Sequence, residues 1–177
     1  MSVSKWTVDT AHSSIEFSVK HMMIARVKGA FNQFEATVEA DPADLTSANI
    51  HFTVDVASID TRNEGRDTHL KSADFFDVDK YPQMTFQSTN IVQKSEDEYD
   101  VTGDLTLHGV THPETFHVTF EGQVKDPSGN EKAGFTGTGQ IKRSDYGLTW
   151  NAALETGGVM VGDDIKITIE IEATKEQ

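Results

Sequence analysis

The chain has 177 residues, with 15 Lys and Arg against 29 Asp and Glu, a formal charge of −14 and no cysteine. That length holds one well-buried core and not two comfortable domains, so residues 1–177 read as a single domain. The acidity argues against nucleic acid and against electrostatic docking onto an anionic membrane, and the missing thiols exclude disulfides and thiolate chemistry.

From the first strand onward the pattern is β. Lys5-Trp6-Thr7-Val8 reads as a strand, leaving no room for a signal peptide, and no apolar run approaches a transmembrane helix. The chain is therefore expected in the cytoplasm, although a mature exported form would look the same. Asp9-Thr10-Ala11-His12-Ser13 contains the residue types of a hydrolase triad, but packed into one turn they cannot face one another productively, and a side-chain-bonded turn is expected. Ile15, Phe17 and Val19 then share one face of a strand that ends in the apolar run His21-Met22-Met23-Ile24. In the segment from Val27 to Ala40, Phe31 and Phe34 stand three apart, which calls for a bulge or bend near Asn32-Gln33. After the turn Asp41-Pro42-Ala43-Asp44, Ile50, Phe52, Val54 and Val56 resume the alternation.

Between Ser58 and Pro82 the alternation stops. Thr61-Arg62-Asn63-Glu64 fits a capping box opening a weak helix, since Gly65 disfavours it and Leu70 is its one aliphatic anchor. Arg66, Asp67 and His69 read either as charge-assisted ties from a helix to strand ends or as polar groups at a cavity mouth. Phe75 and Phe76 follow.

Strands return at Met84/Phe86, Tyr99/Val101/Leu105/Leu107, Phe116/Val118/Phe120 and, most regularly, Ile165/Ile167/Ile169/Ile171. Turns are expected at 95–98, at 108–113 and at 126–130. His108 and His112 are four apart, but Gly109 and Pro113 suit a turn, so no metal site is expected there. Residues 148–162 hold Trp150, a possible helical turn at Ala152-Ala153-Leu154, and Met160 beside Gly157-Gly158. About eight or nine strands, each with one apolar face, must close into a barrel or fold into a sandwich. Phe and Met around a concavity suit an apolar, adaptable ligand as well as they suit plain core packing.

Taken in order, several pieces resemble the YceI-like family of bacterial lipid-binding proteins, also called polyisoprenoid-binding. They include Trp6-x-Val8-Asp9-x-x-His12-Ser13-x-Ile15-x-Phe17, Val27-x-Gly29-x-Phe31, Ser58-Ile59-Asp60-Thr61, Arg66-Asp67-x-His69-Leu70 and Asp74-Phe75-Phe76-Asp77-Val78. The series continues with Tyr81-Pro82-x-Met84-x-Phe86-x-Ser88, Gly103-x-Leu105-Thr106-Leu107-x-Gly109-Val110-Thr111, Gly134-Phe135 and Arg143-Ser144-Asp145-Tyr146-Gly147-Leu148. The resemblance implies an all-β fold: an extended, eight-stranded, antiparallel, lipocalin-like barrel with a short helical insert around residues 61–76. It further implies a homodimer that sequesters or transports a long-chain isoprenoid, quinone-like or fatty-chain lipid, without cofactor, metal, nucleic acid or stable membrane insertion.

By alternation, Phe17, Val19, Phe31, Phe34, Phe52, Met84, Phe86 and Trp150 are expected to line the cavity, with Met22, Met23, Leu70, Phe75, Phe76 and Met160 over its mouth. His21 and Arg143 are candidates for contacts to a head group. The rival expectation is an enzyme, a hydrolase or isomerase acting on such a lipid through His12, His21 or His69. That would require imidazoles converging inside the cavity. Against an apolar-faced barrel, the 58–82 segment reads as a fastened lid whose Leu70, Phe75 and Phe76 meet the ligand.

Overall fold

The strand with the regular isoleucine alternation is the seam that closes the molecule. In a computed structural model describing residues 3–155 and 157–176, β11 (Val161–Lys175) pairs along one edge with β10 (Glu131–Lys142). Its other edge is shared by two strands. Residues up to Glu170 face β2 (Ser14–His21), and Ala173–Lys175 face β1 (Ser4–Val8). The break between β1 and β2 is the Asp9–Ser13 turn. There the Glu172 amide donates to the Ser13 hydroxyl at 3.0 Å and the Asp9 amide to the Glu172 carbonyl at 2.8 Å, so a side chain continues the ladder where the backbone leaves it.

The next two strands are broken in the same way. β3 (Ala25–Phe31) pairs with β2 and β4 (Phe34–Asp41) with β1, the interruption falling at the expected Asn32-Gln33. β5 (Asp44–Asp55) pairs with β4, while β6 (Ile59–Asp60), reached through a single 3-10 turn, pairs with β3. From there the strands run unbroken: β7 (Gln83–Gln93), β8 (Glu98–Leu107), β9 (Val110–Lys125) and β10, each antiparallel to the next. Counting each broken pair as one strand gives a closed, up-and-down, eight-stranded antiparallel barrel, as expected. At this strand number the interior can hold one small ligand. Closure also removes the free sheet edges that an open sheet would expose.

The two ends differ. At one, Trp6 is buried between the small side chains of Ala40, Ala133 and Ala173, and Val38, Leu45, Phe120 and Phe135 pack around it. The other end carries the 61–82 insert, the β2–β3 and β8–β9 hairpin tips and the connection from β10 to β11.

Three local expectations are corrected. Helix α1 (Glu64–Lys71) is capped by Asn63, whose Oδ1 accepts from the Arg66 amide at 3.0 Å, and not by a Thr61–Glu64 box. Thr61 lies too far upstream and is buried as a hydrogen-bonding hub instead. Ala152–Leu154 form no helical turn; Ala153 bridges to Val159, and the two glycines between them both take positive φ. The turn after β8 needs only His108 and Gly109, both left-handed, so Val110–Pro113 already belong to β9.

Candidate functional site

The barrel encloses a cavity of about 240 Å³ whose exposed wall is apolar. Every long strand contributes. β2 supplies Ile15, Phe17 and Val19; β5, Ile50, Phe52 and Val54; β7, Met84 and Phe86; β8, Tyr99, Val101, Leu105 and Leu107. β9 adds Phe116 and Val118, β10 Phe135 and Ile141, and β11 all four of its alternating isoleucines. Leu70, Phe75 and Phe76 close the lumen from the insert, and Leu148 from the β10–β11 connection.

The lumen stays open because glycines lie beneath aromatic rings. A Cβ on Gly139 of β10 would stand 2.5 Å from Phe116 Cδ1, and one on Gly29 of β3 would stand 2.5 Å from Phe17 Cζ. Each ring therefore lies flat against the neighbouring strand instead of crossing the barrel. Larger residues at those positions would lift the rings into the lumen.

The lid is fastened at its base and greasy at its rim. The Asp67 Oδ1 accepts from both the amide and the hydroxyl of Thr61, the amide at 2.9 Å. Arg66 donates to the Thr61 hydroxyl at 2.8 Å and to its carbonyl at 2.7 Å. At the rim, His69 donates to Asp74 at 2.9 Å and meets Phe75 and Trp150 edge-on, with ring centroids 5.1 and 5.0 Å away. Phe75 and Trp150 are themselves 5.3 Å apart. Of the two readings of Arg66 and Asp67, the geometry favours the fastening one: neither lies on the cavity wall.

The sequence-derived residues divide accordingly. Phe17, Val19, Phe31, Phe52, Leu70, Phe75, Phe76, Met84 and Phe86 lie on the wall. Phe34 does not reach it: the break at Asn32-Gln33 sets Phe34 on the inward face opposite Val54, where it is buried among Phe31, Val54, Val56 and Ile59. Trp150 lies over Phe75 outside the lumen, Met22 and Met23 stand exposed on the β2–β3 turn, and Met160 passes its backbone carbonyl to the Met22 amide. His21 ends β2 opposite Val161.

Arg143 is buried and only its stem can reach the wall. Its guanidinium donates to the carbonyls of Gly162 (2.8 Å), Leu148 (2.7 Å), Trp150 (2.9 Å) and, at 3.3 Å, Val161. Burial draws its pKa down from the usual guanidinium value. The arrangement makes Arg143 a clamp holding the 147–161 connection onto β11, so a head-group role is not what its donors serve here. Tyr146, without any exposed surface, clamps the same connection to β9 by donating to the Glu114 carboxylate; burial, then that bond, raises its pKa far above the phenolic value.

The histidines do not converge. His12 lies beside Glu172 and His21 beside Val161, eleven residues apart along β11, which is roughly 35 Å of strand. His69 belongs to the lid rim, and His108 and His112 donate to the Tyr146 and Asp145 carbonyls. Among the described residues, Asp9, His12 and Glu172 bring three potential metal-ligand atoms within 4.8 Å of one another. The His12 ring already donates to Asp9 at 2.8 Å, and the Lys132 ammonium stands 4.0 Å from the same carboxylate, which disfavours a cation.

Sequence reading missed the residues contributed by β8 to β11. The alternation that would have found them is visible in β8, β9 and β11, whereas in β10 Gly137 and Gly139 interrupt the apolar face between Phe135 and Ile141.

A family model described as the YceI-like domain matches residues 6–173. UPF0312 proteins of Staphylococcus aureus strains MSSA476 and N315 are 46% identical over 171 residues, covering 96% of this chain and 97% of theirs. Among solved structures, Burkholderia cenocepacia BcnA is similar with a TM-score of 0.83 and 32% identity, over 94% of this chain and 99% of that one. The Campylobacter jejuni YCEI protein gives a TM-score of 0.76 at 35% identity, over 89% and 90%. A polyisoprenoid binding domain from Saccharophagus degradans shares the fold at a TM-score of 0.69 and 14% identity, over 97% and 98%.

Proposed function

We propose that this chain, which belongs to the YceI-like family, binds the hydrocarbon tail of an isoprenoid or fatty-chain lipid inside its barrel and shields it from water. The observation that carries this is the apolar barrel lumen, built by inward residues from nearly every strand and flanked by an aromatic-rimmed lid. A structural relative described as a polyisoprenoid binding domain supports the same ligand class.

Size sharpens the reading. An apolar cavity of about 150 Å³ accommodates benzene, so about 240 Å³ holds on the order of ten carbon atoms by proportion. Ten buried methylenes supply about 8 kcal/mol gross, of which several are consumed by ordering the tail and by lost translational freedom. Micromolar affinity needs about 8 kcal/mol net. Tight binding therefore takes a longer chain or help from a head group, and a longer chain extends past Leu70, Phe75 and Phe76 at the lid end. Selectivity then follows tail length and lumen width more than head chemistry.

Native mass spectrometry of purified protein, together with titration by polyprenols and fatty acids of increasing length, tests the proposal. Co-purified lipid and an affinity that keeps rising beyond ten carbons are expected. Protein from several expression hosts that carries no lipid and binds no added chain of any length refutes it.

A further inference from the structure

The β2–β3 hairpin has a tip that its own backbone does not favour. Met22 and Met23 adopt φ of 53° and 66°, and the turn is closed by the Ile24 amide on the His21 carbonyl at 3.3 Å. Two successive left-handed residues form the turn for which Asn-Gly is preferred, because a Cβ is crowded there. Two methionines thus occupy positions they suit poorly, and strain of this kind persists where the side chains serve another purpose. Those side chains face water: Met22 is 44% exposed, Met23 50% and Ile24 88%. Val159 extends the patch, its neighbour Gly158 approaching Met23 so closely that an added Cβ would lie 3.0 Å from Met23 Cγ.

Charge around the tip runs against the rest of the chain. In a protein of formal charge −14, the stretch from Phe17 to Phe34 contains Lys20, Arg26 and Lys28 and not one Asp or Glu. All three cations are exposed, and among the described residues none makes a salt bridge. Lys20 and Arg26 face each other directly across the ladder, a like-charged pairing that costs stability. The two acids of the adjoining strand nearest the tip are occupied elsewhere, Asp163 by Ser144 and Asp164 by Lys142. An apolar, methionine-rich tip rimmed by unpaired cations matches the boundary between anionic head groups and acyl chains. The tip also stands at the lid end, where His21 pairs with the cavity-lining Val161.

We propose that the β2–β3 tip docks reversibly on an anionic phospholipid bilayer, Met22, Met23 and Ile24 entering the interface and Lys20, Arg26 and Lys28 meeting the head groups. The inference deepens the lipid-binding reading, since it gives the cavity a route for collecting its chain. The net negative charge of the remainder opposes lasting attachment and favours release.

The test is co-sedimentation with vesicles of phosphatidylglycerol and phosphatidylcholine, against phosphatidylcholine alone. Wild-type protein is expected to bind the anionic vesicles preferentially, and Lys20→Glu/Arg26→Glu to weaken that binding roughly tenfold or more. Ile24→Asp is expected to abolish it while keeping affinity for a fluorescent fatty acid supplied in solution. Met22→Asn/Met23→Gly supplies the residues the turn prefers, so it should raise the melting temperature while lowering vesicle binding, a combination a merely structural tip would not give. Vesicle binding lost in these variants supports docking even if no chain enters the cavity, an outcome that would remove the carrier reading alone. Unchanged binding by Ile24→Asp overturns the proposal. So does conversion of a dimer to a monomer by Ile24→Asp in sedimentation velocity, which would make the tip a contact between copies of this chain.

Discussion

Replacing Gly139 by Ala tests whether the lumen owes its width to glycines beneath aromatic rings. The new Cβ would lie 2.5 Å from Phe116 Cδ1 and 2.7 Å from Cε1, against the 3.5–4.0 Å of ordinary carbon contacts. The ring must therefore retreat by about 1 Å, and with the sheet behind it and Phe86 edge-on at 5.3 Å it can retreat only into the lumen. Overpacking costs about 1–3 kcal/mol, and removing a strand glycine returns about 0.5–1, so the net loss of stability is about 0–2.5 kcal/mol. The lumen loses space equivalent to one or two of its roughly ten carbons, worth about 0.8 kcal/mol each, which weakens binding about 4- to 15-fold. Displacement of a fluorescent fatty acid reads the affinity and urea denaturation reads the stability. The control is Gly134→Ala on the same strand, where the added Cβ meets Glu121 Cβ at an ordinary 3.5 Å and no ring is displaced. Wild-type affinity in Gly139→Ala, or an equal loss in Gly134→Ala, refutes the reasoning.

Three further substitutions separate cover from fastening. Phe75→Ala should speed release of a bound chain in stopped-flow transfer and cost about 3 kcal/mol, whereas Asp67→Asn should cost about 1–2 kcal/mol and leave retention intact; abolished binding at unchanged stability in Asp67→Asn reverses the two roles. Arg143→Lys should destabilise by about 2–4 kcal/mol in urea, since an ammonium with three donors cannot serve four carbonyls; an unchanged midpoint with selective loss of anionic ligands would restore a head-group role. The His12–Asp9 pair makes stability depend on pH. The bond to Asp9 raises His12 above its ordinary 6.5, so this contribution is full below 6.5 and lost as pH rises through the raised value. The same bond lowers Asp9 below its ordinary 3.8, so the contribution is also lost as pH falls through that lowered value. NMR titration of His12 should show the raised pKa and its return toward 6.5 in Asp9→Asn; no change on that substitution would discount the pair.

The sequence was most legible where one period governed a whole strand. The isoleucines of β11 alternate without interruption because one face meets the lumen throughout, and the Asn32-Gln33 break showed in the misfit between Phe31 and Phe34. Legibility failed where the deciding contact was distant. Nothing local to Thr61 reveals that its hydroxyl serves Asp67 and Arg66 instead of capping a helix, or that Asn63 is the better cap. Nothing local to Arg143 points to Trp150, Val161 and Gly162, whose carbonyls it gathers from across a connection. The glycine-beneath-phenylalanine pairs are cross-strand facts, readable only once the β9–β10 and β2–β3 registers are known.

The two ends of the barrel differ in how they would admit a chain to the lumen. Trp6, 3% exposed and clustered with alanines of three strands, closes one end with core packing. At the other end, helix α1 buries no residue completely, so little apolar burial opposes its movement. What holds the lid is divided along its length. Hydrogen bonds tie Thr61 to Asp67 and Arg66 at the base, while at the rim the Phe75 and Trp150 side chains meet through ring contacts. Such contacts are exchanged for equivalent ones when a hydrocarbon tail slides beneath them, whereas a hydrogen bond to a buried Thr61 has no replacement in an apolar lumen. In the proposed carrier the 61–66 segment would serve as the hinge and Phe75 as the moving edge, at the end of the barrel where the Met22–Ile24 tip stands.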